Sequence, residues 1–494
     1  MSRRTSRRQF LRTAAIGAAS AALTADVSFA GPATQNRRSN RPNVVFVFAD
    51  QWRAQASGYV GNKDVRTPHL DALAAQSVNF TNAVSGCPVC SPYRASLMTG
   101  QYWLTHGIFY NDKPLDPDAA TIAKVYRQAG YKTAYIGKWH IDGHGRTSFI
   151  PKERRQGFDF WRVCECTHDY NHSLYYADTP EQLYWPGYDA IAQTREAQSY
   201  IRDHANKSPF ALFMSWGPPH DPYQTAPEQY RSMYADPSKL AVHPNVPELL
   251  REKAQQAMAG YYAHIAALDD CLGDILKTLD EGGIADNTVF VFTSDHGDML
   301  HSHGQTNKQK PWEESVRIPF LLRYPAALGR VGKTIDMPIN TPDIMPTLLG
   351  LSGLEIPKSV EGRDFSGVVK GTQQPDNDAA LIMCPVPFHQ WNYSRGGREY
   401  RGVRTRRYTY VRDLKGPWLL YDNQADPYQL KNLIDDPGHT QVQKELEEIL
   451  SARLRETHDE FRPGPEYMAK WNYQWDGKDA APATVEKAEK GNDI

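Results

Sequence analysis

Four short apolar runs between residues 41 and 296 are each followed at once by polar residues that can bind ions. Their length and their content of β-branched and aromatic residues are typical of buried strands. The runs are "NVVFVFAD", which ends at Asp50, "KTAYIGKWH", which carries Lys138 and His140, "PFALFMSWGPPH", which ends at His220, and "NTVFVFTSDHG", which carries Asp295 and His296. A polar turn after one strand is ordinary, but four such clusters predict a functional site.

Helical patterns lie between these runs. The clearest covers residues 249–281, where apolar positions recur at three- and four-residue steps until "GG" at 282–283 ends the pattern. The alternation predicts an α/β fold, in which a large, mostly parallel mixed β-sheet is sandwiched by helices. Ligands bind beyond the carboxyl ends of the strands in such sheets, so we expect the four polar clusters to form one site.

The pattern changes near residue 381. The stretches "YRGVRTRRYTYVRD" and "WLLYD" are short strand-like runs without long helices between them, and they predict a smaller C-terminal antiparallel-sheet subdomain. We expect "DPYQLKNL" to form a turn and the start of a short helix. Residues 476–494 lack aromatic residues and periodicity, which is typical of a disordered tail.

The first thirty residues have the pattern of an export signal. "SRRQFLR" precedes the weakly apolar "TAAIGAASAALTA" and a small-x-small cleavage pattern, "SFA", that ends at Ala30. This pattern predicts a twin-arginine signal peptide, passage through the twin-arginine export machinery, and a periplasmic or secreted protein. An amphipathic basic tail is the alternative interpretation.

Composition excludes several classes of partner. The whole chain has a formal net charge of −1, and residues 1–30 hold five arginines and one acid, so their removal leaves a charge near −5. This balance does not favour binding to nucleic acid or to an anionic membrane. Hydrophobic residues at 40% and charged residues at 23% are ordinary for a globular protein, and we predict no membrane span.

The six cysteines are too few and too scattered for a disulfide scaffold in a chain of this length. Cys87 and Cys90 form a C-x-x-C pair, but the sequence has no second pair and no thioredoxin-like unit around the first, so a redox or zinc role is disfavoured. Cys164 and Cys166 are poorly spaced to bridge each other, and we interpret them as packing residues.

The remaining chemistry indicates an anion pocket. Pro92 fits the first turn of a helix, which would place Cys90 at the positive end of that helix. Positive charge or hydrogen-bond donors would come from Arg94, Lys138, His140, His220 and Lys308, whereas Asp50, Asp295 and His296 could hold a divalent cation. Phosphoryl transfer and sulfuryl transfer both need such a pocket, because charge on the transferred group must be neutralised.

These residues resemble a known family. "CSPYRASLMTG", residues 90–100, matches the C-x-P-x-R…TG signature of the type I (formylglycine-dependent) sulfatases of the alkaline phosphatase superfamily. "GKWH", "PPH", "TSDHG" and the lysine of "NKQK" follow in the order of that family, and the resemblance covers roughly residues 41–460. It implies the alkaline phosphatase-like sulfatase fold and a sulfuric ester hydrolase.

The resemblance also implies a role for each site residue. A formylglycine-generating maturation enzyme would oxidise Cys90 to formylglycine. One hydroxyl of its hydrate would attack sulfur and expel the substrate alcohol; the other would then lose its proton, so that sulfate is eliminated and the aldehyde reforms. The implied ligands of one Ca²⁺ are Asp50, Gln51, Asp295, His296 and an oxygen of the modified Cys90. By the same resemblance, Arg94 would brace the hydrate, and Lys138 and Lys308 would bind sulfate. His140 would orient the hydrate, and His220 would bind or protonate the leaving oxygen. Lys310 competes with Lys308 for the lysine role.

Two departures leave alternatives open. Many sulfatases have paired aspartates after the first strand and Asp-Asn after the later one, whereas this chain has Asp50-Gln51 and Asp295-His296. That combination also resembles the phosphonate monoester hydrolases and related phosphodiesterases. We expect hydrolysis of sulfate esters, on a sulfated small molecule or oligosaccharide, with phosphonate monoester or phosphodiester hydrolysis as the alternative. A non-catalytic secreted binding protein is disfavoured because the catalytic residue types are all present.

The domain division follows from these interpretations: a twin-arginine signal peptide (1–30), a linker (31–40), a catalytic sulfatase domain (41–380), a C-terminal subdomain (381–475) and a disordered tail (476–494). Three further features have open roles. His301 and His303 are either extra metal ligands or, as we prefer, part of a solvent-facing loop. The aromatic segment 167–188 is either a sugar-stacking wall or a packed excursion. The third feature is a set of arginines that either reach the pocket rim or form a solvated face: Arg395, Arg398 and Arg401.

Overall fold

The apolar runs form the central strands of one large sheet. The computed structural model describes residues 41–374 and 379–475, so the predicted signal peptide, linker and tail lie outside the described residues. The eight strands of the large sheet are β1 (Asn43–Asp50), β2 (Val78–Phe80), β3 (Lys132–Lys138), β4 (Phe160–Cys164), β5 (Phe210–Pro219), β6 (Thr288–Ser294), β7 (Phe320–Arg323) and β8 (Lys333–Ile335).

The order of the strands confirms the predicted mixed, mostly parallel sheet. It runs β8-β2-β7-β6-β1-β5-β3-β4, and antiparallel pairing is confined to the two edges of β7. Strand β1 is central and completely buried, with Val45 and Val47 in one hydrophobic core and Phe46 and Phe48 in the other. Because successive side chains of a strand point to opposite faces, one continuous apolar run fills both cores.

Helices cover both faces of the sheet. The predicted helix at 249–281 is observed as Arg251–Glu281, with Gly282 at its C-terminal end and Gly283 at a φ of 63°. The α-helices, in chain order, are α1 (Pro68–Ala74), α2 (Cys90–Thr99), α3 (Trp103–His106), α4 (Ile122–Gln128), α5 (Asp189–His204), α6 (Glu228–Arg231), α7 (Arg251–Glu281), α8 (Glu313–Val316), α9 (Pro325–Leu328), α10 (Thr341–Leu351), α11 (Ser366–Lys370), α12 (Thr440–Glu456) and α13 (Gly464–Lys470). Among the residues that the structure describes, no helix is both long and apolar enough to cross a membrane.

The C-terminal part forms a separate antiparallel sheet, as predicted. Its strands are β9 (Ala379–Cys384), β10 (Tyr400–Thr405), β11 (Tyr408–Asp413) and β12 (Gly416–Asp422), and they pair in sequence order. Leu446 and Leu450 of α12 share a core with Val403 and Tyr410 of this sheet. The short helix expected at "DPYQLKNL" is absent: these residues form turns, and α12 begins only at Thr440, after a 3₁₀ turn at Pro437–His439.

Candidate active site

The polar residues that follow β1, β3, β5 and β6 meet at one edge of the large sheet. Lys138, His140 and His220 line a cavity of about 620 Å³, a size usual for a small-molecule site, whereas Asp50, Asp295 and His296 group around Cys90, which lines the same cavity. The cavity is lined by Cys90, Asn111, Asp112, Lys138, His140, Arg146, His168, His220, Lys308, Gln309, Phe388, His389, Gln390, Asn392 and Arg395. The predicted single site at the carboxyl ends of the strands is therefore present.

Cys90 is the first residue of helix α2, as the position of Pro92 predicts. The whole helix is buried, and the Cys90 thiol lies 3.3 Å from Nε2 of His296 and 3.7 Å from both Nζ of Lys138 and Oδ1 of Asp50. Burial and Asp50 favour the neutral thiol, but Lys138 and the other cations outweigh them and hold the pKa of Cys90 well below its usual range. The thiol thus occupies an electropositive, nearly dry position.

Two buried aspartates bind one arginine beside this thiol. Nη2 of Arg94 lies 3.2 Å from Oδ2 of Asp50 and 2.9 Å from Oδ2 of Asp295, while Nζ of Lys138 contacts the same oxygen of Asp50 at 2.5 Å. Burial alone would raise the pKa of Asp50, but Lys138 and its cationic neighbours hold it well below the usual range. The cationic side chains around it therefore hold the Asp50 carboxylate in its charged form.

The donor atoms fit a bound divalent cation. One ligand atom from each of Asp50, Cys90, Asp295 and His296 lies within 4.8 Å of the others, and all four residues are buried. Two carboxylates suit a hard cation, whereas the imidazole also suits transition metals, so the set fits a divalent ion without selecting calcium. Gln51 is beside this group, but its side-chain oxygen accepts from Lys308 at 2.8 Å and its nitrogen donates to Asp298 at 2.7 Å.

Lys308, rather than Lys310, lines the cavity. Nζ of Lys308 lies 2.6 Å from Nε2 of His220, and Nδ1 of His220 contacts its neighbour's backbone oxygen at 2.8 Å. His220 thus accepts from Lys308 and is neutral, which agrees with burial and Lys308 holding its pKa well below the usual range. Lys310 donates instead to the Thr306 carbonyl oxygen at 2.7 Å.

His140 belongs to a hydrogen-bond network with Asp112 and Arg146 that no sequence motif indicates. Its Nε2 lies 2.9 Å from Oδ1 of Asp112, and Asp112 also binds Arg146 through two contacts of 3.0 and 2.7 Å. Asp112 and His140 both have left-handed backbone conformations, with φ of 58° and 61°. Asp112 lies in a loop away from the strand ends, so neither a motif nor a strand pattern indicates it.

The segment after β4 is largely a packed excursion, since Tyr170, Trp185 and Tyr188 lie in a hydrophobic core, but it also contributes one residue to the site. His168 lines the cavity and stacks on His220, with ring centroids 4.4 Å apart and planes 7° apart. Tyr170 lies behind them and donates to the backbone oxygen of His220 at 2.9 Å. Cys166, interpreted above as a packing residue, has its pKa held well below the usual range because His140 and Lys138 outweigh its burial.

The arginines and histidines whose roles the sequence left open lie in different surroundings. Arg395 lines the cavity, whereas Arg398 pairs with Asp413 at 3.1 Å and Arg401 is buried in an ion pair with Asp459. His301 and His303 lie outside the group of possible metal ligands among the described residues. The ring of His303 instead stacks on Trp312, with centroids 4.9 Å apart, so it packs into the fold.

Comparison with known proteins identifies similar families and folds. The family model described as "Sulfatase" matches residues 42–354, and the model of the C-terminal part of N-sulphoglucosamine sulphohydrolase matches residues 301–456. A similar curated protein is the ulvan-active sulfatase of Formosa agariphila, which is 44% identical over 446 residues, or 89% of this chain and 86% of the relative.

Solved structures give the same picture. A Bacteroides thetaiotaomicron protein from the metabolism of multiple glycosaminoglycans has a TM-score of 0.78 and 30% identity, over 88% of this chain and all of that protein. The phosphonate monoester hydrolase of Agrobacterium radiobacter is more distant, with a TM-score of 0.69 and 26% identity, over 84% of this chain and 96% of that protein. The fold is thus common to sulfatases and to one class of phosphonate hydrolases.

Proposed function

This chain belongs to the sulfatase family and is a sulfuric ester hydrolase, and from that premise we propose that it removes sulfate from a sulfated carbohydrate. The relative that is 44% identical is named for activity on ulvan, and a 30% identical structural neighbour belongs to glycosaminoglycan metabolism. The observation that carries the proposal is the position of Cys90, buried at a helix start between possible metal ligands and the two lysines that line the cavity.

We propose that a maturation enzyme converts Cys90 to formylglycine and that Asp50, Asp295 and His296 bind a divalent cation. The formylglycine would supply the nucleophile for attack on sulfur, and the cation would neutralise charge on the sulfate. We propose calcium for the cation: the imidazole of His296 leaves the choice of metal open, and the two carboxylates are hard oxygen donors of the kind that calcium binds. Gln51 would join the ligands only if its side-chain oxygen left Lys308.

The cationic residues have separate proposed tasks. Arg94 would hold Asp50 and Asp295 in place, since one guanidinium nitrogen contacts both carboxylates. Lys138 and Lys308 would donate to the oxygens of the sulfate, because both side chains reach the cavity wall. Their fixed charges stabilise the negative oxygens during transfer without further reorganisation.

Two histidines would handle the remaining hydrogen bonds. His140 binds Asp112 through Nε2, which leaves Nδ1 for the residue at position 90. His220 is neutral and accepts from Lys308, so the proton for the leaving oxygen would come from the Lys308–His220 pair rather than from an isolated imidazolium.

Phosphonate monoester hydrolysis is the second candidate. It is favoured by the Asp50-Gln51 and Asp295-His296 pairs and by the shared fold of the phosphonate monoester hydrolase. Sulfate esters remain preferred because the curated relative at 44% identity is a sulfatase.

We also propose export before function. "SRRQFLR" supports passage through the twin-arginine machinery to the periplasm or outside the cell, after maturation of Cys90 in the cytoplasm. Replacement of Arg7 and Arg8 by lysine should leave the full-length precursor in the cytoplasm. Unchanged export of that variant would contradict the proposed route.

The activity itself is tested by producing the protein with and without a formylglycine-generating enzyme. We expect turnover of an aryl sulfate and of sulfated oligosaccharides only after co-production, and none by Cys90→Ala. An aryl phosphodiester and a phosphonate monoester, assayed in parallel, should have lower kcat/KM. A higher kcat/KM for the phosphonate would support the second candidate, and full activity of Cys90→Ala would overturn the mechanism.

A further inference from the structure

The cationic side chains of the cavity differ in whether they have partners. Lysine and arginine contribute four lining residues, and three of them are bound within the protein. Lys138 pairs with Asp50, Lys308 contacts Gln51 and His220, and Arg146 is held by Asp112. The side chain of Arg395 is exposed and has no hydrogen bond or ion pair with any residue that the structure describes.

The loop that carries Arg395 is fixed over the cavity. Gln309, next to Lys308, donates to the backbone oxygen of Phe388 at 2.9 Å and accepts from its backbone nitrogen at 3.2 Å. The backbone nitrogen of Gln309 also donates to Pro88, two residues before Cys90. Gln309 thus connects the segment before helix α2 and its neighbour Lys308 to the C-terminal loop that carries Arg395.

The tip of this loop is a closed turn. The backbone nitrogens of Arg395 and Gly397 both donate to the Asn392 oxygen at 3.0 Å, and Gly396 has the left-handed φ of 79° that glycine adopts readily. Tyr393 anchors the turn by donating to Glu399 at 2.6 Å. These bonds fix the backbone at Arg395 while its side chain stays available for a ligand.

The charge around Arg395 is unbalanced. Asp112 is the one acidic residue among the described residues that line the cavity, and it already binds His140 and Arg146. The positive charge of Arg395 also acts on the interior: burial, with further contributions from Lys308 and Arg395, lowers the pKa of Lys310 to about 7. A second anion near Arg395 would relieve this imbalance, and a planar guanidinium binds carboxylates and sulfates through two parallel hydrogen bonds.

We propose that Arg395 forms a second anion subsite, which binds a carboxylate or a second sulfate of the substrate while the reacting sulfate lies at Cys90. The substrate class is therefore an acidic saccharide with at least two anionic groups. This inference rests on the proposed function, because it assigns the outer part of the same cavity. Arg395 selects the substrate and takes no part in the transfer of sulfate.

The test compares Arg395→Ala with Arg398→Ala in the mature enzyme. Arg398 is a matched control, because it lies three residues away but pairs with Asp413 and does not line the cavity. The substrates are an aryl sulfate without a second anion, a monosulfated disaccharide with a uronic acid, the methyl ester of that uronic acid, and a disulfated disaccharide without a carboxylate.

We expect Arg395→Ala to lower kcat/KM about ten- to hundredfold on a doubly anionic disaccharide, mainly through KM. Arg395→Ala should turn over the aryl sulfate at the wild-type rate, and Arg398→Ala should keep the wild-type activity on every substrate. Arg395→Lys should lose less activity on the doubly anionic disaccharide than Arg395→Ala. A loss on the uronic acid but not on its methyl ester identifies a carboxylate, whereas a loss on the disulfated sugar identifies a second sulfate. Equal activity of Arg395→Ala and wild type on both acidic disaccharides overturns the proposal.

A binding measurement separates this inference from the proposed function. Calorimetry on the Cys90→Ala protein reports affinity for the same disaccharides without turnover. Weaker binding after the added Arg395→Ala change supports the subsite even if the mature enzyme cleaves no sulfate ester. Absence of cleavage would refute the proposed function but not the subsite. Unchanged affinity refutes the subsite even in an active sulfatase.

Discussion

Replacement of Asp112 by asparagine tests the network behind His140. The carboxylate accepts from Nε2 of His140 at 2.9 Å and binds Arg146 through both oxygens. Asparagine keeps the size of the side chain but removes the charge and one acceptor oxygen. The imidazole can then rotate, and its other nitrogen loses its defined direction toward position 90.

The size of the effect follows from the exposure of Asp112. A hydrogen bond to a charged partner contributes about 1.5–3 kcal/mol when it is buried. The side chain of Asp112 is 37% exposed, so solvent reduces this contribution to about 1–2 kcal/mol. We therefore expect kcat on an aryl sulfate to fall about five- to thirtyfold, with little change in KM, because each factor of ten corresponds to about 1.4 kcal/mol.

The pH profile gives an independent measurement of the same change. Burial lowers the pKa of His140, but Cys166 and Asp112 outweigh it and raise the pKa well above the usual value. The imidazolium is thus present at neutral pH and is lost as the pH rises through that raised pKa. Since asparagine removes one cause of the increase, the alkaline decline of kcat should move to lower pH in Asp112→Asn.

The assay is steady-state hydrolysis of an aryl sulfate across pH, with metal content and conversion of Cys90 measured for each variant. Asp118→Asn is the control, because Asp118 is exposed in the same loop and does not line the cavity. Asp112→Glu should recover part of kcat. An unchanged alkaline limb in Asp112→Asn, or an equal loss in Asp118→Asn, would refute the positioning role.

Three further predictions concern the metal, the lysines and the thiol. Removal of divalent cations with a chelator should abolish sulfate release and lower the melting temperature, because Arg94 and Lys138 would then have to offset both buried carboxylates without the cation. Added calcium should restore both properties, and full activity after verified metal removal would contradict a metal role. Lys308→Ala should lower kcat/KM by at least about a hundredfold, because a charged hydrogen bond to sulfate is lost. Lys310→Ala should keep most of the activity, because the Lys310 ammonium binds the Thr306 carbonyl oxygen instead. The reverse order of activities would assign the lysine role to Lys310. Cys90→Ser should not sustain multiple turnovers. Calorimetry should show near-normal affinity of this variant for a sulfated ligand, since serine changes one buried atom. Sustained turnover would argue against formylglycine.

The fold was largely predictable because its signals are local. A buried parallel strand needs apolar side chains on both faces, and the eight buried residues of β1 form just such a run. The repeat of apolar residues in α7 likewise reports the face that packs on the sheet. The prediction of a short helix at "DPYQLKNL" was wrong, because Asp422, Asp426 and Asn432 accept hydrogen bonds from nearby backbone nitrogens and stabilise turns instead.

The centre of the site was also predictable, but its surroundings were not. Asp50, Lys138, His220 and Asp295 lie at or just after strand ends, where topology brings them together. Asp112, Arg146 and His168 come from loops whose position depends on long-range packing. The left-handed backbone of Asp112 and the hydrogen bonds between these loop side chains leave no periodic signal in the sequence.

The most direct test of the central claim is the mass of the peptide that contains Cys90, measured together with sulfate release by the same preparation. Protein made beside a formylglycine-generating enzyme should carry an aldehyde in place of the thiol, and sulfate release should rise in proportion to the converted fraction. Sulfate release by protein whose Cys90 is entirely unmodified, or fully converted and metal-loaded protein with no activity on any sulfate ester, would contradict the account.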